Sequence, residues 1–164
     1  TGSDGQVLTS AGAGAVCAFE AVAPGSLGAA VRRSSTLAVA GTTQVELVFN
    51  TEDYDVGSKY NTSTGRYTPG VAGTYFVSYG ITLDPGASFA ETDLTYMKIR
   101  LNGAGKEYGQ IGLGGNGNGN LGFSSNTILT LDDDDYISLW CYIANANGGD
   151  LVSQQSGWSV FRII

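Results

Sequence analysis

An uncharged aromatic segment with a two-residue apolar period constrains the fold of this sequence more than any other feature. Within TYFVSYGITL, one set of alternate positions holds only large apolar side chains: Tyr75, Val77, Tyr79, Ile81 and Leu83. Phe76 is the one apolar residue of the other set. This period is that of a strand with one buried face. We therefore expect residues 73–83 to form a core strand, in which each fully buried large side chain contributes about 1.5–3 kcal/mol.

Short segments of this kind recur along the chain, whereas helical periodicity is absent. No window of a dozen residues keeps apolar positions at i, i+3, i+4 and i+7 without glycine, proline or β-branched residues intervening. Many short strands separated by turn residues predict an all-β antiparallel sandwich or jelly roll. The predicted strands are residues 16–22, 34–39, 45–50, 73–83, 94–101, 107–113, 121–131, 136–143 and 156–164.

Length and charge narrow the class of protein. The 164 residues suffice for one domain with a real core. A net charge of −7 with scattered Lys and Arg argues against nucleic acid as a partner, because phosphate would be repelled over most of the surface. No run of 18 apolar residues is present, so we expect no membrane insertion, and no signal-peptide pattern is visible at the N-terminus.

The sequence offers little support for catalysis. It has no histidine, which excludes Ser–His and Cys–His nucleophiles and His-ligated zinc. A carboxylate pair could in principle cleave glycans, but nothing selects two of the scattered candidates, which are Glu46, Glu52, Asp53, Asp55 and Glu91. We expect neither catalytic residues nor a cofactor.

The N-terminal segment and the cysteines raise two further expectations. Residues 1–14 are small and Gly/Ala-rich, so we expect a linker or the end of a stem, followed by one domain over residues 15–164. Cys17 and Cys141 both lie in apolar strand-like runs. We expect buried free thiols, and a single disulfide between them is the alternative.

The densest charge in the chain is the acidic run between TILTL and YISLW. It consists of Asp132, Asp133, Asp134 and Asp135. Four adjacent carboxylates are typical of a solvated hairpin turn, which is the reading we favour. Hard oxygen ligands on a tight turn could also hold Ca²⁺, and that is the alternative, although the spacing is not that of an EF-hand and no second ligating segment is identified.

The stretch YNTSTGRYTPGVAGTYFVSY, residues 60–79, resembles the signature of the complement C1q globular-head domain. Later segments agree in order: Leu101-Asn-Gly, Leu129-Thr-Leu and Trp158-Ser-Val-Phe resemble the family's later motifs. The resemblance covers roughly residues 16–164. The sequence departs from the family at Pro69, where the family has a cysteine, and at Val160, where it has a glycine.

This resemblance implies a ten-stranded C1q/TNF-like jelly roll that assembles as a homotrimer and binds without catalysis. The lead-in GSDGQVLTSAGAGAV also resembles segments that precede the terminal domains of bacteriophage fibres. Together they imply a virion location, as the head of a tail fibre or of a capsid-attached fibre or spike. The expected partners are other virion fibre or capsid proteins and a host cell-surface glycan or protein. The alternative is a secreted or extracellular C1q-like ligand or glycan-binding module.

Glycine- and asparagine-rich loops are the candidate binding surface, because loops on a rigid scaffold often carry recognition. These loops are residues 112–122, 84–91 and 144–149. Gly112, Gly114 and Gly117 also match G-x-G-x-x-G, but no helix follows, as a dinucleotide site requires. The candidate contact residues are Asn116, Asn118, Asn120, Asn145 and Asn147.

Overall fold

The computed structural model of the chain describes residues 6–9, 16–21, 27–85, 94–103, 106–114 and 119–163. Within these residues the secondary structure is entirely β. The strands are β1 (Gln6–Thr9), β2 (Ala18–Ala21), β3 (Gly28–Arg32), β4 (Leu37–Val39), β5 (Gln44–Glu46), β6 (Thr51–Val56), β7 (Tyr60–Asn61), β8 (Arg66–Tyr67), β9 (Gly73–Asp84), β10 (Leu94–Leu101), β11 (Lys106–Gly114), β12 (Leu121–Leu131), β13 (Ile137–Ile143), β14 (Gly149–Leu151) and β15 (Gly157–Arg162).

Two antiparallel sheets form the sandwich. In the first, called here the β9 sheet, β9 lies between β12 and β15, and β3 and β6 continue beyond β15. Strands β14 and β4 extend this sheet at the C-terminal end of β9. In the second, called the β13 sheet, the order is β11-β10-β13-β8-β7, and β5 also pairs with β13. The prediction of an all-β antiparallel jelly roll is confirmed.

The core lies between the two sheets. All five alternating side chains of β9, from Tyr75 to Leu83, are at most 3% exposed. Facing them from the β13 sheet are the fully buried Met97, Ile99 and Leu139. The predicted buried face of β9 is confirmed, because a strand places every second side chain on the same face.

Several strands were absent from the sequence prediction. Strand β3 reads GAAVR, and its glycine and alanines are too small to stand out as a core pattern, although Ala29 and Val31 are buried. Strand β6 reads TEDYDV and none of its side chains is buried, as an edge strand tolerates. The strand predicted at 45–50 is hydrogen-bonded as a ladder only over Gln44–Glu46.

The two cysteines are free. Cys141 is buried, as predicted, and this burial raises the pKa of its thiol to about 12. Cys17 is exposed, so the expectation that both thiols are buried was wrong for this residue. The structure also shows no disulfide between them, contrary to the alternative.

The N-terminal segment contains a strand that was not expected. Strand β1 pairs with β2, so Gln6 lies opposite Ala21 and Thr9 opposite Ala18. The proposed domain boundary near Gly14 therefore falls between two paired strands, and it stays a prediction. Among the described residues, none belongs to a helix that is long and apolar enough to span a membrane.

Truncation of the β9 core should be costly. We expect Tyr75→Ala to lower the free energy of unfolding by about 3–5 kcal/mol, as large-to-small core changes do. Tyr75→Phe keeps the ring and loses only the 2.6 Å hydrogen bond from the hydroxyl to the Val71 carbonyl, at a cost of about 1 kcal/mol. Urea denaturation would measure both variants, and a cost below about 1 kcal/mol for Tyr75→Ala would contradict the assigned face.

Candidate functional site

The three candidate loops are anchored at one end of the sandwich. Strand register shows this: Asp84 at the end of β9 lies opposite Asp150 of β14, and Leu83 lies opposite Leu121 at the start of β12. At the same end, Leu94 begins β10 opposite Gly114, the last residue of β11. We call this the loop end. The strand ends that flank the three predicted loops therefore lie at the same end of the sandwich.

The individual asparagines differ in their roles. Asn120 is exposed beside β12, whereas Asn116 and Asn118 lie outside the described residues. The Asn145 side-chain oxygen accepts a 2.9 Å hydrogen bond from the Asn147 N–H, so Asn145 stabilises its own turn. Asn147 is exposed and borders a cavity of about 540 Å³. The binding role of these asparagines stays a prediction.

The acidic run lies at the opposite end, between β12 and β13. Asp135 has structural partners: its carboxylate accepts hydrogen bonds from the Asp132 N–H at 2.8 Å and from the Asn102 side-chain amide at 2.7 Å. Asn102 in turn accepts the Tyr136 N–H at 2.9 Å. The carboxylate of Asp135 therefore closes the turn and ties it to the end of β10.

The described residues of this turn show no cluster of metal ligands. Asp132, Asp133 and Asp134 are exposed. In the part of the chain that the structure describes, no three carboxylate, thiol or imidazole groups converge in a way that could hold a metal ion. The calcium alternative stays a prediction.

A polar groove of about 680 Å³ lies beside this end, along the β7–β8 hairpin. The hairpin turns because Asn61 accepts three backbone N–H groups with its side-chain or backbone oxygen, and because Gly65 adopts φ 78°. Side-chain hydroxyls, one amide, two cations and two aromatic rings line the groove: Ser58, Lys59, Tyr60, Asn61, Thr62, Thr64, Arg66, Thr68 and Tyr136, together with Gly70. None of these lining residues carries a carboxylate.

Arg66 joins the groove to the β13 sheet. Its guanidinium bonds both oxygens of Glu46, at 2.9 and 3.0 Å, and lies 4.4 Å from the centroid of the Tyr136 ring. Burial alone would raise the pKa of Glu46, but the hydrogen bonds from Arg66 and Ser138 and the charge of Arg66 together hold that pKa below its ordinary value. The same hydrogen bond raises the pKa of Arg66, because it stabilises the charged form of both partners.

The solvent-facing side of the β13 sheet carries aromatic rings interleaved with cations. Register places Tyr96 opposite Tyr142 and Lys98 opposite Trp140. The rings of Tyr96 and Tyr142 stack at 5.0 Å, and the Arg100 guanidinium lies 4.4 Å from the Trp140 centroid. We call Tyr96, Trp140, Tyr142 and Arg100 the outer aromatic face.

Sequence reasoning missed the outer aromatic face, although its signal is readable. In YISLWCYI the apolar Ile137, Leu139, Cys141 and Ile143 alternate with Tyr136, Ser138, Trp140 and Tyr142. The first set is fully buried. The second set must therefore face away from the core. The rings belong to a segment that was predicted only as a core strand, so no function was assigned to them.

The open side of the β9 sheet carries a line of apolar side chains. Ile128 lies opposite Phe76, Phe76 opposite Phe161, and the Tyr54 ring packs 6.1 Å from Phe161. Ile128 is 62% exposed, Phe161 39% and Tyr54 37%. We call these four residues the apolar row. Adjacent exposed apolar groups on a monomer's surface are typical of a protein–protein contact.

The fold is a jelly roll whose β9 sheet carries the exposed apolar row and whose β13 sheet carries the outer aromatic face. The C1q domain family matches residues 30–161, and the chain therefore belongs to the C1q domain family. The match begins within β3, so the first residues of the resemblance proposed over residues 16–164 lie outside it. A comparison with curated protein sequences finds no significant match.

Solved structures with this fold include C1q and TNF-like proteins. The globular domain of zebrafish complement 1qA is 15% identical, with a TM-score of 0.65 over 84% of this chain and 98% of that one. Murine APRIL is 11% identical, with a TM-score of 0.62 over 84% and 99%. Eiger TNF from S. frugiperda is 13% identical, with a TM-score of 0.62 over 85% and 93%. At these identities the likeness shows the fold alone.

Membership in this family bears on the class of function. C1q/TNF-like domains are typically non-enzymatic binding modules, commonly form homotrimers, and are often secreted or extracellular. The family match and the fold together make this chain a C1q/TNF-like domain.

The β7–β8 hairpin gives a test of the turn that frames the groove. A Cβ at Gly65 would overlap the Leu47 carbonyl oxygen, and the positive φ is itself unfavourable for alanine. We expect Gly65→Ala to destabilise the protein by about 1–3 kcal/mol from backbone strain, with the overlap adding to this cost. Gly119→Ala, where a Cβ meets nothing within 4 Å, is the matched control and should change stability little. Equal thermal melting of the two variants would contradict the turn geometry.

Proposed function

We propose that this chain is the trimeric head of a bacteriophage tail fibre or of a capsid-attached fibre or spike, and that it attaches the particle to a host surface. The observation that carries the proposal is the apolar row on the open side of the β9 sheet. A domain that presents this row needs a protein partner to cover it. The same surface on a second and third copy is the partner that the family's common trimeric state supplies.

The composition of the apolar row favours assembly of identical chains. It spans four strands, β12, β9, β15 and β6, and so forms a surface that crosses most of the sheet. Two residues further along β9, on the same face, Ser78 lies opposite Ser159, so the side chains there are small and polar. An apolar strip bordered by polar groups is the usual anatomy of a specific protein–protein contact.

The direction of the chain supports the attachment role. It enters the sandwich at Leu27 and leaves at Ile163, whose N–H donates to the Thr74 carbonyl near the start of β9. The loop end lies at the far end of the same strand. A stem attached before β3 would therefore leave the loop end pointing away from the particle, where a host surface would be met.

The lead-in sequence supports the virion location. GSDGQVLTSAGAGAV resembles segments that precede the terminal domains of phage fibres, and it lies before the matched region of the chain. Other fibre or capsid proteins of the virion would then be partners at this end. The host cell-surface glycan or protein would be the partner at the exposed surfaces.

A secreted or extracellular C1q-like ligand is the second candidate function. The family's frequent extracellular location favours it. The two candidates share the trimer and differ in where the chain resides.

Interruption of the apolar row should separate the copies. We expect Phe161→Asp to give particles of the 17.0 kDa chain mass by light scattering, whereas the wild type gives three times that mass. A buried unpaired carboxylate at the contact would cost several kcal/mol per copy. Thr62→Asp, on the exposed hairpin turn of the other sheet, is the charge-matched control and should stay trimeric. A trimeric Phe161→Asp variant would contradict this use of the row.

Virion location has its own test. We expect mass spectrometry of purified phage particles to detect this chain, and the isolated trimer to compete with those particles for adsorption to host cells. Detection in culture supernatant but never in particles would favour the secreted ligand instead.

A further inference from the structure

We propose that the polar groove along the β7–β8 hairpin binds a neutral polysaccharide of the host surface, with Lys59, Thr64 and Thr68 as groups that hold its hydroxyls. The inference deepens the proposed function, because it rests on attachment to a host surface and names the class of ligand. It places the site beside the β13 sheet, at the end of the sandwich away from the loop end.

Four polar side chains of the groove have no partner within the part of the protein that the structure describes. They are the hydroxyls of Thr62, Thr64 and Thr68 and the ammonium of Lys59. All three threonines are exposed. Each hydroxyl of a threonine can donate and accept a hydrogen bond, and so can each hydroxyl of a sugar. A ligand that carries many hydroxyls therefore has a partner in the groove for several of them.

The charges around the groove favour a neutral ligand over an acidic one. Arg66 is held by both oxygens of Glu46, which leaves Lys59 as the unpaired cation among the described lining residues. Carboxylates lie close by: Asp55 accepts the Lys59 N–H, and the acidic run adjoins the groove, where the Asp133 carbonyl accepts a backbone N–H of the lining. Because the cations here do not outnumber the carboxylates, a polyanion gains no electrostatic attraction.

The groups that line the groove are held in place before a ligand binds. The stem of Lys59 passes between two glycines: its Cε lies 3.2 Å from the place of a Cβ at Gly57, and its Nζ lies against Gly70. The Lys59 N–H donates to the Asp55 carboxylate at 2.9 Å, and the Thr68 N–H donates to the Lys59 carbonyl at 2.9 Å. These contacts reduce the ordering that binding would otherwise require.

The groove stays accessible in the proposed trimer. It lies beside the β13 sheet, whereas the apolar row lies on the β9 sheet. Its volume of about 680 Å³ is within the range of about 300–1,000 Å³ that ligand pockets have. Three such grooves on one trimer would bind repeats of the same polysaccharide together, which raises the overall affinity.

The test begins with the full chain on an array of purified bacterial surface polysaccharides, in which neutral and acidic polymers are equally represented. We expect binding to at least one neutral polysaccharide, and the one that binds most tightly is the probe for isothermal titration calorimetry. Its dissociation constant should change less than about twofold between low and high salt, because no ion pair forms with the ligand. Tighter binding of acidic polymers than of every neutral one, or no binding at all, would overturn the inference.

Two variants test the groove itself. Lys59→Met keeps most of the stem and removes the ammonium, and we expect it to raise the dissociation constant at least about tenfold, as loss of a charged hydrogen bond does. Thr68→Val keeps the shape and removes the hydroxyl, and it should raise the constant about three- to tenfold. Thermal melting establishes that each variant is folded, and Thr68→Val keeps the test decisive if Lys59→Met melts early.

Two controls locate the effect. Thr43→Val makes the same change at an exposed threonine beside β5, at the other end of the β13 sheet, and should stay within about twofold of the wild type. Asn147→Ala, at the loop end, should also stay within about twofold. Equal weakening by Thr68→Val and Thr43→Val would overturn the inference. Loss of binding with Asn147→Ala and none with Lys59→Met would overturn it in favour of the loop end.

Light scattering and adsorption to host cells, measured on the same samples, separate this result from that of the proposed function. A trimer that competes with phage for host cells and binds no neutral polysaccharide overturns only this inference. A chain that is absent from phage particles and binds a neutral polysaccharide through Lys59 and Thr68 supports the site and overturns the virion location.

Discussion

The antiparallel pairing of β9 with β12 on one side and β15 on the other is the constraint on which the rest of the structure depends. It runs the whole length of β12, from Leu121 opposite Leu83 to Leu131 opposite Gly73. Because side chains alternate across a strand, this one register determines both surfaces of the sheet at once. Every second side chain of β9 from Tyr75 to Leu83 enters the core. Phe76, on the other face, joins Ile128 and Phe161 on the open side. A shift of the register by one residue would exchange the core-facing and the open-side residues of the shifted strand.

The two sheets thereby acquire different outer surfaces. The open side of the β9 sheet carries the apolar row near the N-terminal end of β9, and in the proposed function this row contacts other copies of the chain. The solvent side of the β13 sheet carries rings and cations above a fully buried set of aliphatic side chains. If the apolar row is covered in a trimer, the β13 sheet is the broad face left outside, with the groove at its edge. Attachment would then combine several shallow sites on one particle, so that avidity compensates for modest affinity at each.

The sequence was most informative where large side chains alternate, and least where pairing partners are distant. The buried face of β9 was predictable because its side chains are large and its period is two. Strand β3 was missed because alanine and glycine carry little pattern. Phe76 stood out as an exception in its strand, but its neighbours in the apolar row come from three other strands, whose register no local pattern reveals. The role of Asp135 was hidden for the same reason, since its partner Asn102 lies 33 residues away.

Hydroxyl-radical labelling of the native protein, read by mass spectrometry, tests most directly whether the apolar row is covered by other copies. Each residue's rate is normalised to its rate in the denatured chain. Phe161 and Ile128 are exposed in the single chain, as is Leu94, which lies outside the row. The account predicts that Phe161 and Ile128 are oxidised as slowly as the buried Tyr75, while Leu94 is oxidised rapidly. Rates for Phe161 and Ile128 equal to that of Leu94 would contradict it.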